Sequence, residues 1–238
     1  MDVIFCVDIG NKNIKTGVFD KDGLKEVILG LPDPLFFAKC ELIIISSVSR
    51  TKLDAYLRLI EKSPFTGKII KLRPQDQNYL KINYTDPSQL GEDRLAFAFF
   101  LKENYGEALG VDAGSFINIE YVKDDIHFPM AIFPGLSLLK ECYGRGERLK
   151  KLDIDNIVRD TPYIFPRSSI ECIGKGVRLA VKGLVGGLMD LTGCNRIVFT
   201  GGDGKILRDI LGFGEYVENA VLLGLFAYYR LLTSRSNS

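Results

Sequence analysis

One short element occurs twice in this chain. Val7-Asp8-Ile9-Gly10-Asn11 closes one apolar, strand-like run, and Val111-Asp112-Ala113-Gly114-Ser115 closes another. At matching offsets each is followed by a valine, Val18 or Val122, and then by an aspartate, Asp20 or Asp124. A repeated strand-Asp-x-Gly-turn predicts two related half-domains facing each other, each offering a carboxylate and an open glycine turn to one cleft. Glycine permits positive φ and a close approach of backbone to ligand. Successive turn N–H groups make an anion-binding concavity. Such an arrangement suits a nucleotide and its metal ions.

The surrounding pattern supports two halves. Residues 3–9 read as a buried strand, 13–19 as a second with Ile14, Thr16 and Val18 on one face, and 24–29 as a third after the Asp22-Gly23 turn. The first glycine turn therefore joins strand to strand. A P-loop would join strand to helix and carry GxxxxGK[ST], and a dinucleotide fold would carry G-x-G-x-x-G; neither is present there. Residues 42–47 form a nearly all-apolar run typical of a strand covered on both faces. A helix is expected over 52–62, short strands at 69–72 and 80–83, and a helix over 92–105 that buries Leu95, Ala96, Phe99 and Phe100. Residues 109–113, 116–122 and 126–133 repeat the three-strand opening. Helices follow over 135–150, 169–191 and 220–232, with a strand at 195–199. Gly176, Gly183 and Gly187 in the long helix each cost about 1 kcal/mol of helix propensity. They serve close backbone packing or mark a poorly optimised helix. The order of elements argues for an α/β chain with one half over residues 1–106 and the other over 107–238.

Composition narrows the chemistry. At 238 residues and 46% hydrophobic, the chain can bury a real core. Its 31 basic and 30 acidic residues leave a net charge of +1, which offers no electrostatic footprint for nucleic acid. The five cysteines, Cys6, Cys40, Cys142, Cys172 and Cys194, form no CxxC pair, and no signal peptide is evident. These are expected to be reduced thiols of a cytoplasmic protein. The apolar stretch 220–232 is too short to span a bilayer and contains Arg230. His127 is the single histidine, and it has no nucleophile near it in sequence. Acid–base chemistry therefore falls to carboxylates.

Three further constellations stand out. Asp8-x-Gly10-Asn11-x-Asn13-x-Lys15 joins a strand-end carboxylate to an open turn with two lysines, Lys12 and Lys15. Asp8 is placed to hold Mg²⁺ directly or through water, because hard cations take oxygen ligands. Gly91-Glu92-Asp93-Arg94 opens a helix. Its acids suit the helix dipole, while Asp93 could take a proton from a hydroxyl and Arg94 could hold an anion. Thr200-Gly201-Gly202-Asp203-Gly204 is another open turn after a strand.

Together these elements resemble the type III pantothenate kinases, of the acetate and sugar kinase, Hsp70 and actin superfamily. Asp8 to Lys15 is similar to the family's D-x-G-N-T-N-x-K motif. Ile45-Ser46-Ser47-Val48 matches its I-S-S-V strand. Tyr84 stands seven residues before Gly91-Glu92-Asp93-Arg94, as in its Tyr and G-x-D-R. Asp112-Ala113-Gly114-Ser115 resembles D-A-G-T, Phe133-Pro134-Gly135 its P-G turn, and Thr200-Gly201-Gly202 its T-G-G turn.

The resemblance implies two similar actin/ribonuclease-H-like half-domains, each a mixed sheet with a three-strand antiparallel opening, flanked by helices. It implies ATP-dependent phosphorylation of pantothenate, the first step towards coenzyme A. Asp8, Ile9, Gly10, Asn11, Lys12, Asn13, Ile14, Lys15 and Ser115 would bind ATP. Asp93 would be the general base, and Tyr84, Gly91, Glu92, Asp93, Arg94 and Ser169 would bind pantothenate. Asp112 would hold a monovalent cation, K⁺ or NH₄⁺, and Mg²⁺ would accompany ATP near Asp8. A homodimer is implied, with no nucleic-acid or membrane partner. The chain departs from the family at Lys12, Ser115 and Ser169, each in place of threonine. It departs also at Asn118 and Glu120, which replace Thr and Asp, and at Pro129-Met130, which replaces Gly-Gly. Those departures keep open a regulatory, non-catalytic nucleotide-binding homologue, or a kinase of another small hydroxy acid.

Overall fold

The computed structural model describes residues 3–149 and 164–235. Strands β1 (Val3–Ile9), β2 (Ile14–Asp20) and β3 (Gly23–Leu29) form an antiparallel meander. β4 (Cys40–Ser47) pairs with β1 in parallel, and helix α1 (Arg50–Glu61) leads to β5 (Lys68–Lys71), parallel to β4. The sheet order is β3-β2-β1-β4-β5. The two-residue β6 (Lys81–Ile82) and helix α2 (Glu92–Tyr105) come next. After them run β7 (Ala108–Ala113), β8 (Phe116–Lys123), β9 (Ile126–Pro134), α3 (Leu136–Gly144) and α4 (Ser169–Thr192). The chain continues with β10 (Ile197–Thr200), α5 (Gly204–Leu211), β11 (Glu215–Tyr216) and α6 (Ala220–Arg235).

The duplication inferred from the Asp-x-Gly turns is one of topology. The second sheet has the order β11-β10-β7-β8-β9-β6. Apart from the edge strand β6, it follows the path of the first: β9-β8-β7-β10-β11 mirrors β3-β2-β1-β4-β5, and α5 stands between β10 and β11 as α1 stands between β4 and β5. Two-residue links between β7 and β8 and between β8 and β9 require antiparallel pairing, since a parallel pair needs a long crossover. Asp124 and Asp125, which link β8 to β9, both have positive φ, 49° and 60°. That is the backbone of a type I′ hairpin turn. β10 runs parallel to β7 and to β11.

Contacts divide the described residues into two compact units. One comprises residues 3–106, 122–129 and 219–235, the other residues 107–121, 130–149 and 164–218. The boundary passes through β8 and β9. In the first unit β1 and β4 are central strands, buried almost end to end, which accounts for their near-continuous apolar sequences. Beneath them lie Phe5, Val7, Ile9, Phe37, Ile43, Ile45 and Tyr56. The Tyr56 hydroxyl shares a buried 2.8 Å hydrogen bond with Thr16.

Helix α6 belongs to this first unit, although a division at 106/107 leaves it with the second half. The reason is surface chemistry: Ala220, Leu222, Leu225, Ala227 and Tyr228 are all buried, and α2 offers them an apolar partner. Gly224 makes the crossing possible. A Cβ at that position would overlap the carbonyl of Ala96. Phe226 stacks on Phe19 of β2, with ring centroids 4.5 Å apart.

The same crossing explains a difference in α2. Residues Arg94 to Leu101 are buried without interruption, rather than along one stripe, because α6 and β4 both pack against the helix. Helix α3 stops at Gly144, short of the expected 150. There Arg145 and Gly146 bend the chain into N–H contacts with Cys142 and Tyr143, followed by a single 3₁₀ turn, Glu147–Leu149. Lys150 lies outside the described residues. His127 is fully buried in β9, opposite Ile82. Among the described residues no helix is long and apolar enough to cross a membrane.

The α2–α6 crossing yields a stability prediction. Gly224→Ala should lower stability by about 1–3 kcal/mol, as overpacking does, even though alanine is the better helix former by about 1 kcal/mol. Urea unfolding monitored by circular dichroism would measure it. An unchanged or raised midpoint would contradict the close backbone approach.

Candidate active site

In the first unit the site grows from the end of β1. Asp8 pairs across the sheet with Lys15 of β2 and with Ser46 of β4. The Ser46 hydroxyl donates to Asp8 Oδ1 at 3.2 Å. Beyond Asp8 the chain turns at Gly10, whose N–H donates to the Asn13 carbonyl at 3.0 Å. Asn11, Lys12 and Asn13 are exposed at the tip. Lys15 Nζ donates to Asn219 Oδ1 at 3.1 Å. Asn219 has φ of 58° and stands immediately before α6. Lys52 Nζ, from the first turn of α1, reaches the carbonyls of Asn11 at 2.6 Å and Lys12 at 2.7 Å.

The start of α2 brings two more carboxylates. Glu92 Oε2 accepts the Ser47 N–H at 2.7 Å, tying the helix to the end of β4. Asp93 Oδ1 accepts the Arg94 N–H at 2.8 Å. A Cβ at Gly91 would come within 2.5 Å of Asp93 Oδ1, so glycine leaves room for that carboxylate. Arg94 is buried, while Tyr84 is exposed beyond the 3₁₀ turn Pro87–Gln89 that Asp86 caps.

These carboxylates are electrostatically loaded. Burial, and then the charge of Asp93, push Asp8 up to about 7, against the lowering effects of Ser46 and Lys15. Glu92 is also raised to about 7, by burial first, with Asp93 adding to it and the Ser47 N–H, Arg73 and Lys71 opposing. The Asp93 charge thus opposes ionisation of Asp8. A divalent cation relieves that kind of repulsion, so the donor set fits Mg²⁺ held by few protein oxygens and by phosphates.

The second unit assembles its own turns around Asp112. Thr200 of β10 pairs in parallel with Asp112 of β7. Gly201 follows with φ of 86°, and a Cβ there would lie 2.5 Å from Asp112 Oδ1 and overlap the Ala113 carbonyl. The Asp203 N–H donates to that carbonyl at 3.0 Å. From the other side the Gly135 N–H donates to the Ser115 carbonyl at 3.0 Å, and a Cβ on Gly135 would strike Gly114. The Asp112–Ser115, Phe133–Gly135 and Thr200–Asp203 turns, far apart in sequence, therefore meet as backbone against backbone. Ser169 is the exposed first residue of α4; the cap is Ser168, whose hydroxyl accepts the Glu171 N–H at 3.2 Å. Asn118 is half-buried and Glu120 fully buried in β8.

Sequence reasoning missed Lys52 and Asn219. Lys52 reads as an ordinary helix lysine, and Asn219 as a loop residue. Only the tertiary fold brings them to the β1–β2 turn.

A sequence model of the type III pantothenate kinases matches residues 4–191. The chain belongs to the type III pantothenate kinase family. It is accordingly a pantothenate kinase, a phosphotransferase. The type III pantothenate kinase of Mycoplasma mobile is 27% identical over 81% of this chain and 79% of its own length. Among solved structures, a conserved Campylobacter jejuni protein provisionally described as a Baf family transcriptional activator aligns over 98% of this chain and 100% of its own, with TM-score 0.65 and 22% identity. The ROK hexokinase of Thermus thermophilus aligns over 96% and 99%, with TM-score 0.55 and 13% identity. At those identities the structures speak for the fold alone: two actin-like halves of mixed sheet flanked by helices.

The raised Asp8 group makes stability depend on pH. Its folded value lies above the ordinary carboxylate value of 3.8, so the folded state holds the proton more tightly. Stability is therefore highest at low pH within the window and falls as pH rises from about 4 to about 7. Asp8→Asn should stabilise the ligand-free enzyme at pH 8 by about 1–2 kcal/mol, discounted for partial solvent contact, and should gain nothing near pH 4. Thermal melts of both proteins at the two pH values test this; equal melting temperatures at pH 8 would refute it.

Proposed function

We propose that this chain transfers the γ-phosphoryl group of ATP to the primary hydroxyl of pantothenate, with Asp93 as general base. The observation that carries the reading is the Asp8–Asp93 pair. One carboxylate ends the strand before an open phosphate-type turn, and the other opens a helix beside it. Asp93 accepts the hydroxyl proton, the freed oxygen attacks the γ-phosphorus, and ADP leaves. Phosphoryl transfer asks mainly for positioning and charge neutralisation, so a carboxylate base with cations suffices without histidine.

In this reading the turn from Asp8 to Lys15 binds the phosphates, with Mg²⁺ alongside Asp8. Lys12, exposed at the tip, substitutes a positive charge for the family's hydroxyl. Gly91 to Arg94, Tyr84 and Ser169 bind pantothenate. Asp112, with the carbonyl-rich turns packed around it, holds a monovalent cation, and Ser115 contacts ATP. The first unit carries the phosphate turn and substrate motif, and the second unit the nucleotide side. The enzyme works as a homodimer. Exposed Leu179 and Leu191 on α4, beside Gly176, Gly183 and Gly187 whose surroundings are open, support a second copy packing there.

Two measurements test the chemistry. Asp93→Asn should lower kcat by about a hundredfold or more, the range for a lost general base; ADP release coupled to pantothenate would show it, and near-normal turnover would remove Asp93 from the mechanism. Replacing K⁺ by Na⁺ should slow the wild-type enzyme, and Asp112→Ala should abolish that difference. Rates indifferent to the monovalent cation would rule out the Asp112 assignment.

A further inference from the structure

The β1–β2 turn is held from one side by a single ammonium group. Lys52 Nζ lies 3.4 Å from the Gly10 carbonyl oxygen, 2.6 Å from that of Asn11 and 2.7 Å from that of Lys12. Three consecutive carbonyls therefore point to the same place. The described residues contain no cis peptide bonds, and in a trans peptide the N–H of the next residue points opposite to the carbonyl. The N–H groups of Asn11, Lys12 and Asn13 are consequently turned away from Lys52, towards the opposite face of the turn. N–H groups facing outward on an exposed turn are donors that an anion can use.

We propose that Lys52 is a positioning residue for the phosphates of the nucleotide. It fixes the orientation of the three peptide planes so that their N–H groups face the side of the turn opposite the ammonium, where the phosphates lie. The cation also polarises each peptide it touches, which strengthens the opposite N–H as a donor. The inference rests on the turn being the phosphate site, and it adds a residue from outside that motif.

The position of Lys52 in its own helix supports the assignment. It stands in the first turn of α1, which carries no acidic residue and has Arg50 at its start. The helix dipole disfavours cations there, and Ser49 makes no side-chain cap. The helix gains nothing from an ammonium at this place, whereas the turn does. Lys52 also divides the work with Lys15. Lys15 bonds Asn219 at the base of the turn, and Lys52 grips its tip.

The test uses the full chain. Lys52→Met should raise KM for ATP, and Kd for Mg·ADP by calorimetry, about tenfold or more, while KM for pantothenate stays within about twofold. Lys52→Arg, which keeps charge and donors, should recover most of the affinity. A helix role alone would not separate the two substrates in this way. In the wild type, Mg·ADP should slow amide hydrogen exchange at Asn11, Lys12 and Asn13, a readout that needs no variant and holds even if Lys52→Met does not fold. Lys12→Glu, which puts a carboxylate on the turn itself, separates two kinds of failure. If Lys12→Glu weakens ATP binding but Lys52→Met does not, the positioning role is overturned and the phosphate turn stands. If neither variant changes ATP binding and exchange is unprotected, both are overturned.

Discussion

The contact on which the first unit depends is the crossing of α2 and α6, where Gly224 lies against the backbone of Ala96. Each helix carries something to the site. The start of α2 presents Glu92 and Asp93, and the residue before α6, Asn219, receives Lys15. Moving either helix by the width of a methyl group would shift Asp93 relative to the β1–β2 turn. Interiors are packed too densely to absorb such a change without passing it on. The apolar crossing and the polar site are therefore one mechanical object.

The site gathers three half-buried carboxylates. Asp8, Glu92 and Asp93 sit on two elements that Ser46 and Ser47 tie together, and both Asp8 and Glu92 are displaced upward by burial and by Asp93. A protein optimised for stability alone would not gather carboxylates so. A kinase needs a place whose electrostatics improve when a metal–nucleotide complex arrives, and local rules are commonly broken at such functional sites. The second unit is built differently. Around Asp112 the partners are backbone groups, brought close by Gly135 and Gly201.

Much of this was legible in the sequence because it is local. Alternation and the Asp22-Gly23 turn located the meander, and α2 spans the expected residues. The repeated Asp-x-Gly signalled a duplication that the strand order reproduces. What escaped was nonlocal or short. Nothing near residues 220–235 says that this helix returns to the first unit; its fit to α2 exists only in three dimensions. Periodicity gave α2 one buried stripe, but a helix covered on both sides buries every position from 94 to 101. α5 and β11 are too short for a periodic signal to emerge. The end of α3 turned on two glycines flanking Arg145, which a longer apolar pattern outweighed.

The first unit is also discontinuous in sequence: its core is begun by β1 and completed by α6. A ribosome makes the meander and α2 well before the helix that covers them. Until α6 emerges, Phe19 lacks its stacking partner and the Ala96 face of α2 lies open to water. Long-range closure of this kind is slow and leaves apolar surface exposed in the meantime. A nascent chain of this protein thus holds most of its β1–β2 turn well before it holds Asn219, and the first unit is complete only once α6 has emerged.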